Sequence, residues 1–183
     1  MAKVYAMIAN GTEETECLTV VDLLKRAGNQ VILVSIEKDK EILSSHGIRI
    51  TADQTIQKTD FNDADSIFLP GGMPGSERLS DSQKLTKALI QLDAQDKVIA
   101  AICAAPAVVL GRHGLLAGKR CTCFPGFEKD LEDAYLVSDR VVTDGNIVTS
   151  KGLGTAIDLG LELIRIFQGQ AISDKIASQI QYK

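Results

Sequence analysis

The chain has 183 residues, a formal net charge of −4, 45% apolar residues and 24% charged residues. This length suits one domain with a substantial core, and we predict a single domain over residues 1–183. Lysine and arginine are scattered through the sequence and form no basic stripe, which excludes nucleic acid as a predicted partner.

Short apolar runs that suit β-strands alternate with segments of helical periodicity, a pattern typical of an α/β fold with a parallel sheet. The elements predicted in the first half are a strand Lys3–Ile8, a helix Thr15–Ala27, a strand Val31–Ile36, a hairpin excursion within Glu41–Gln57 and a strand Asp65–Leu69. Those predicted in the second half are a helix Asp81–Gln95, a strand Lys97–Ile102, a helix from Ala104, a hairpin of Val141–Thr143 and Asn146–Ser150, and helices Thr155–Phe167 and Ala171–Gln181.

The uncharged run Val98–Gly111 is too short to cross a bilayer, which needs roughly 20 apolar residues. The apolar run near the N-terminus is also too short for the core of a signal peptide. We therefore expect no membrane partner, a cytoplasmic location and reduced cysteines.

Unusual residues follow four of the predicted strands. They are the acidic segment Gly11–Glu16, the turn Pro70-Gly71-Gly72, Cys103, and the turn Lys151–Gly154. If these strands are parallel, their carboxyl ends meet at one edge of the sheet, where ligands of such folds bind. We therefore predict one functional site at this edge.

Cys103 follows an apolar strand and precedes small residues that permit a sharp turn into a helix. Backbone amides and the positive end of a helix dipole favour a thiolate there, and Pro106 suits a first helical turn. The arrangement resembles a nucleophile elbow, although G-x-S-x-G is absent. A free cysteine inside an apolar run is also common as core filler, so both interpretations stay open.

Two further segments have a functional and a structural interpretation. Gly71 and Gly72 form an ordinary turn or offer backbone amides to an oxyanion. Glu13, Glu14 and Glu16 form a solvated helix start, or one of them shuttles protons for a thiol. Sequence spacing does not choose among these three acids.

The other cysteines are predicted to pack the core. Cys17 lies on an apolar helical face, and Cys121 and Cys123 would share one face of a strand. No second cysteine or histidine pair lies at metal-ligand spacing near them, so we predict no metal site.

Three other features give weaker signals. Gly152 and Gly154 spell only G-x-G, which favours helix packing over a dinucleotide site. His46 falls in the hairpin region and His113 at a probable helix end, and the sequence favours neither as a partner of a cysteine.

Five segments, in the order of the chain, resemble the ThiJ/PfpI superfamily and its ThiJ-like branch, to which a human parkinsonism-associated deglycase belongs. They are GTEETE (11–16), VDLLKRAG (21–28), LPGG (69–72), AAICAAPAVVL (100–110) and TSKGLGTAIDLGLELI (149–164). The resemblance implies a class I glutamine amidotransferase-like fold, a flavodoxin-like sandwich with helices on both faces of a mostly parallel sheet. It also implies a homodimer and a cofactor-independent reactive cysteine.

Carried over by position, the resemblance implies that Cys103 is the reactive cysteine and Glu16 the acid bonded to its sulfur. The backbone of Gly71, Gly72 and Ala104 matches the anion-stabilising groups. A weaker match places Asp22 and Arg26 near the pocket or a dimer contact.

The sequence departs from the pattern of related branches at two positions, and this limits the mechanisms that we expect. Ala104 stands where the protease-like branch has a histidine, and Phe124 precedes Pro125 where human-like relatives have a histidine. A peptidase triad is therefore not expected, and Glu16 is left as the proton carrier.

Three hypotheses follow from these residues. The first is a glyoxalase or deglycase acting on methylglyoxal-like dicarbonyls or their glycated adducts through a hemithioacetal on Cys103. The second is an oxidative-stress sensor or redox-regulated chaperone that acts by oxidation of the same thiol. The third is a hydrolase or amidotransferase-like acyl-transfer enzyme, which would need His46 or His113 near Cys103.

Overall fold

The computed structural model describes residues 1–182, so Lys183, the last residue of the predicted domain, lies outside the described residues. Its centre is a seven-stranded sheet in which β10 pairs antiparallel with β11 and the other neighbours are parallel. The strand order is β10-β11-β7-β6-β1-β2-β5. The α/β class predicted from the alternating pattern is confirmed.

The strands, numbered along the chain, are β1 Lys3–Ile8, β2 Gln30–Ser35, β3 Glu41–Leu43, β4 Arg49–Thr51, β5 Gln54–Thr55, β6 Ser66–Leu69, β7 Val98–Ile102, β8 Arg120–Cys121, β9 Tyr135–Leu136, β10 Val141–Asp144 and β11 Ile147–Ser150. The α-helices are α1 Glu14–Arg26, α2 Gly75–Ser80, α3 Gln83–Asp93, α4 Ala156–Gln168 and α5 Gln170–Gln179. Strands β3 with β4 and β8 with β9 form two small separate ladders.

The alternating side chains of β1 divide the core into two layers. Val4, Ala6 and Ile8 are buried with α1, α4 and α5, whereas Tyr5 and Met7 are buried with α2, α3 and the helix after β7. Successive side chains of a strand point to opposite faces, so one strand supplies both cores. The helices therefore lie on both faces of the sheet, as the resemblance implied.

Most predicted elements differ from the structure by only one or two residues at their ends, and predictions for three parts of the chain need correction. The predicted helix Asp81–Gln95 begins at Gln83 because Ser82 caps it, and a separate α2 precedes it. The segment Glu41–Gln57 contains the expected hairpin, and it also supplies β5 to the edge of the main sheet.

The third correction concerns the segments around two cysteines. The helix expected from Ala104 begins as a turn and continues as a π-helix over Pro106–Gly111. Strand β8 ends at Cys121, so Cys123 lies beyond the strand, although both thiols are buried in the same core layer.

Within residues 1–182, no helix is both long and apolar enough to cross a membrane.

Candidate active site

The four segments singled out in the sequence do meet at one edge of the sheet. Strands β11, β7, β6 and β1 are consecutive neighbours and all parallel, so their carboxyl ends lie side by side. The connections that leave these ends carry the acidic segment, the Pro-Gly-Gly turn, Cys103 and the Lys-Gly-Leu-Gly turn.

Cys103 lies on the bend directly after β7, with a φ of 66°. This left-handed conformation costs a non-glycine residue roughly 1–2 kcal/mol, so the surrounding structure must impose it. Two backbone hydrogen bonds do so: the Cys103 amide donates to Ser150 O at 2.9 Å, and the Phe124 amide donates to Cys103 O at 2.8 Å. Cys17, Cys121 and Cys123 are buried, whereas Cys103 is half-buried and reachable.

Glu16 lies in the first turn of α1 and points its carboxyl group at the thiol. Glu13 caps this helix by accepting the Glu16 amide at 2.5 Å. The Glu16 carboxylate accepts the Gly71 amide at 3.1 Å, the Leu153 amide and the Cys103 thiol. It is almost fully buried. The acid that sequence spacing left open is therefore Glu16, because the cap and the helix turn direct it inward.

Gly71 permits the close approach of the two side chains. A Cβ at this position would lie 2.5 Å from Cys103 Cβ and would also overlap Glu16 Oε2. Its carbonyl accepts the Glu13 amide at 2.9 Å, which ties the turn to the start of α1. A side chain here would separate the thiol from the carboxyl group.

The backbone amides are not all directed as the resemblance implied. The Gly71 amide is used by Glu16, so it is not free for an oxyanion in this arrangement. The Gly72 and Ala104 amides are directed at the Cys103 sulfur. Two of the three expected amides therefore face the reactive position, and the third holds the acid.

Burial governs the ionisation of the pair. It raises the pKa of Glu16 to about 7, against the lowering effect of the thiol and amide hydrogen bonds. Burial, followed by the negative charge of Glu16, raises the pKa of the Cys103 thiol to about 12. The Gly72 and Ala104 amides do lower this pKa, as expected of helix-start amides, but burial and Glu16 outweigh them, so the expectation of a favoured thiolate is wrong.

A consequence is that the pair shares a single proton across the neutral and alkaline range. Above about pH 7 Glu16 is ionised and accepts a hydrogen bond from the thiol, which keeps its proton. When that proton moves to Glu16, the carboxylate charge that opposes the thiolate disappears. The geometry can therefore generate a thiolate nucleophile at the moment of attack, next to an acid that has just received its proton.

The other two acids have different roles. Glu14 Oε1 lies 2.9 Å from His46 Nδ1, and Glu13 Oε1 lies 3.9 Å from the same nitrogen. One ligand atom from each of these three residues lies within 4.8 Å of the others. Glu14 is thus hydrogen-bonded to His46, and Glu13 caps α1.

The second histidine also has partners of its own. His113 Nε2 lies 2.9 Å from Ser80 O, and neither histidine is among the groups that shift the pKa of Cys103. Within residues 1–182, His46 and His113 therefore contact groups other than the Cys103 thiol.

Asp22 and Arg26 form an exposed ion pair on α1, with Arg26 Nε 2.5 Å from Asp22 Oδ2. They line a shallow groove with Leu18, Ile157 and Ile180. Their recorded contacts do not include Cys103 or Glu16. No contact therefore supports the predicted role of Asp22 and Arg26 at the pocket, and their role at a dimer surface stays a prediction.

The sequence did not predict the contacts that Gly152, Leu153 and Phe124 make near Glu16. Leu153 donates its amide to Glu16, and a Cβ on Gly152 would lie 3.2 Å from the Phe124 ring and 3.6 Å from Glu16 Oε1. The G-x-G pattern at 152–154 was assigned to helix packing. The position of this turn at the end of β11 placed it at the predicted functional edge, and only the structure shows its contact with Glu16.

Comparison with known proteins shows similarity to one family over most of the chain. The sequence profile of the DJ-1/PfpI family matches residues 2–166. The structure superposes on "Toxoplasma gondii DJ-1, oxidized" with a TM-score of 0.96 and 40% identity, covering 100% of this chain and 99% of that one.

Two curated relatives extend the comparison. Protein DJ-1 homolog B of Arabidopsis thaliana is 36% identical over 92% of this chain, which spans only 38% of that protein's length. Deglycase PH1704 of Pyrococcus horikoshii is 31% identical over 81% of this chain and 89% of its own length.

Proposed function

The chain belongs to the DJ-1/PfpI family, and on that premise we propose that it is a cysteine-dependent enzyme acting on methylglyoxal-like dicarbonyls or their adducts. Its chemistry would be that of a glyoxalase III-like lyase or of a protein deglycase. The relative described as a deglycase, from Pyrococcus horikoshii, supports this class of activity. The main support for the proposal is that the half-buried Cys103 thiol is hydrogen-bonded to the buried carboxyl group of Glu16, so that the two groups can exchange a proton.

In the proposed reaction, Glu16 takes the thiol proton while Cys103 Sγ attacks the aldehyde carbon of methylglyoxal. The aldehyde oxygen becomes an alkoxide, is held by the Gly72 and Ala104 amides, and gains that proton to give a hemithioacetal. Glu16 then removes the proton on the former aldehyde carbon while the ketone oxygen gains a proton, which gives an enediol. The former ketone carbon next gains a proton from Glu16, and the hydroxyl on the sulfur-bearing carbon loses its proton to water, so the proton count is unchanged. The product is a lactoyl thioester, which water hydrolyses to lactate and free Cys103.

These steps need no electron acceptor, because oxidation of the aldehyde carbon is balanced by reduction of the ketone carbon. Cys103, Glu16 and water therefore supply every proton and bond, and we propose that no cofactor takes part.

The direct test supplies purified protein with methylglyoxal, either free or as its hemithioacetal with N-acetylcysteine. We expect lactate to accumulate in proportion to enzyme, and rapid acid quenching to trap a protein whose mass has increased by one methylglyoxal at Cys103. Enzymatic lactate determination and peptide mass spectrometry measure both. A folded protein that forms neither lactate nor adduct would refute the proposal.

A second candidate function, oxidative-stress sensing or redox-regulated chaperone activity, rests on one specific observation. Cys103 is the reachable one of four cysteines and is hydrogen-bonded to an acid, and the Toxoplasma gondii relative is described as oxidized. Oxidation of a thiol to a sulfinic acid adds polar oxygens that a protonated Glu16 would stabilise. The enzyme and the sensor would use the same thiol.

Mild peroxide treatment distinguishes this second function. We expect oxygen to add to Cys103 at least about tenfold faster than to Cys17, Cys121 or Cys123, because those thiols are buried, whereas Cys103 is half-buried and lies beside Glu16, which can accept its proton. Peptide mass spectrometry over a time course measures the rates. Equal oxidation of all four cysteines, in protein shown to be folded by circular dichroism, would eliminate the sensor hypothesis.

The remaining predictions stay part of this proposal. The hydrolase or amidotransferase hypothesis needs a histidine at Cys103, and the contacts of His46 and His113 do not support it. We propose a cytoplasmic homodimer, on the strength of the family resemblance and of the exposed groove that contains Asp22 and Arg26.

A further inference from the structure

An aromatic ring that the proposed chemistry does not use lies at Gly152, on the side that faces the Glu16 carboxyl group. Phe124 donates its amide to Cys103 O at 2.8 Å, which fixes its backbone beside the nucleophile. Its ring lies above Gly152, where an added Cβ would be 3.2 Å from Phe124 Cδ2, 3.7 Å from Phe124 Cε2 and 3.6 Å from Glu16 Oε1. The ring edge and the carboxyl group therefore border the same small space.

This ring is held in place and also exposed. Its neighbour Phe127 packs against it edge to face, with the ring centroids 6.5 Å apart. Phe124 is nevertheless 47% exposed, an unusual state for a phenylalanine. A ring whose backbone and one edge are fixed, while its other surface is open beside a nucleophile, is suited to contact a ligand there.

Two more exposed apolar side chains stand next to groups of the same site. Met73, 39% exposed, follows Gly72, whose amide faces the sulfur. Leu153, 54% exposed, donates its amide to Glu16. Met73, Phe124 and Leu153 are thus exposed apolar side chains on segments whose backbone contacts Cys103 or Glu16 or directly follows such a contact. Exposed apolar side chains on these segments suit a ligand whose reactive carbonyl carries an apolar group.

We propose that Phe124 is a specificity-determining residue that contacts the substituent on the ketone carbon of a carbonyl compound bound at Cys103. The site would thus favour ketoaldehydes with an alkyl or, better, an aryl substituent over glyoxal, which has only hydrogen at this position. For turnover, this inference rests on the proposed function. The contact itself concerns binding at the thiol and can be measured without turnover.

The decisive experiment compares alkylation of Cys103 by two α-chloroketones, chloroacetone and phenacyl chloride. In each reaction the sulfur bonds to the methylene carbon and chloride leaves, so the two probes differ only in methyl against phenyl on the ketone. Their rate ratio with glutathione corrects for intrinsic reactivity. Intact-mass spectrometry gives the rates, and peptide mapping confirms the modified residue.

With the unmodified chain we expect the corrected ratio to favour phenacyl chloride about tenfold or more, the range typical of added apolar contact in a pocket. In Phe124→Ala the ratio should approach that of glutathione, and Phe124→Leu should recover part of the preference. Tyr135→Ala removes an exposed aromatic ring from β9 and should leave the ratio unchanged. Iodoacetamide, which lacks the ketone substituent, reports whether each variant keeps its thiol reachable.

The outcomes separate this inference from the proposed function. An unchanged ratio in Phe124→Ala, with Cys103 still reactive toward iodoacetamide, overturns the specificity role whatever the lactate assay shows. A reduced ratio upholds it even if the chain forms no lactate, in which case only the proposed enzyme activity fails.

Discussion

Cys103→Ser is expected to abolish lactate formation from methylglyoxal, lowering kcat/KM by on the order of 10³-fold or more. A serine hydroxyl is far less acidic than a thiol and would not transfer its proton to Glu16, whose pKa is about 7. The variant should fold normally, because serine is nearly isosteric and the backbone bonds of Cys103 with Ser150 and Phe124 do not involve the side chain. Lactate production at several substrate concentrations measures the loss.

The matched control is Cys123→Ser. Its thiol lies 3.4 Å from Phe124 O, a contact that a hydroxyl can also make, and its position places it next to the same loop. We expect this variant to keep most of the activity. A circular dichroism spectrum shows that loss of activity in Cys103→Ser does not come from misfolding. If Cys103→Ser retained the rate of the unmodified chain, the hemithioacetal mechanism would be wrong.

Glu16→Gln should lower kcat/KM by about 10²- to 10⁴-fold at pH 7.5, the usual range for removal of a general acid–base group. In the unmodified chain kcat/KM should rise with pH through about 7 and then level off, because the singly protonated pair forms as Glu16 ionises. The amide cannot ionise, so this rise should vanish in the variant. The pH profile of initial rates measures both effects, and a variant that keeps the rise through pH 7 would show that another group is responsible.

The same substitution should change the pH dependence of folding stability. The pKa of Glu16 rises from 4.5 to about 7 on folding, so the folded state holds the proton more tightly. This contribution is fully present below about pH 4.5 and is lost as the pH rises through 7. We expect the free energy of unfolding of the unmodified chain to fall by about 2–3 kcal/mol between pH 5 and pH 8 because of this group. In Glu16→Gln this fall should be absent. Urea unfolding at the two pH values tests this, and parallel losses in both proteins would contradict it.

The sequence was informative wherever a local pattern has one structural solution. The short apolar run Lys3–Ile8 predicted a strand, and that strand is found with the predicted bounds. The position of Cys103 at the end of a predicted parallel strand was enough to place it with three other junctions. Local pattern did not place β5, whose two residues are too few to show a periodicity.

Residue patterns alone predicted the parallel α/β class, the edge of the sheet that carries the site and the residue types available there. These follow from short-range periodicity and from the geometry common to parallel sheets. Sequence spacing did not choose among Glu13, Glu14 and Glu16, and the resemblance pointed to Glu16, which the structure brings to the thiol. Only tertiary structure showed that the Gly71 amide holds this acid and that the Phe124 ring lies at Gly152 near the same carboxyl group. It also reversed the expected pKa shift of Cys103. The reason is physical: burial and Coulomb interactions depend on distances between groups that lie far apart in the chain, 55 residues for Glu16 and Gly71, and no local pattern records such distances.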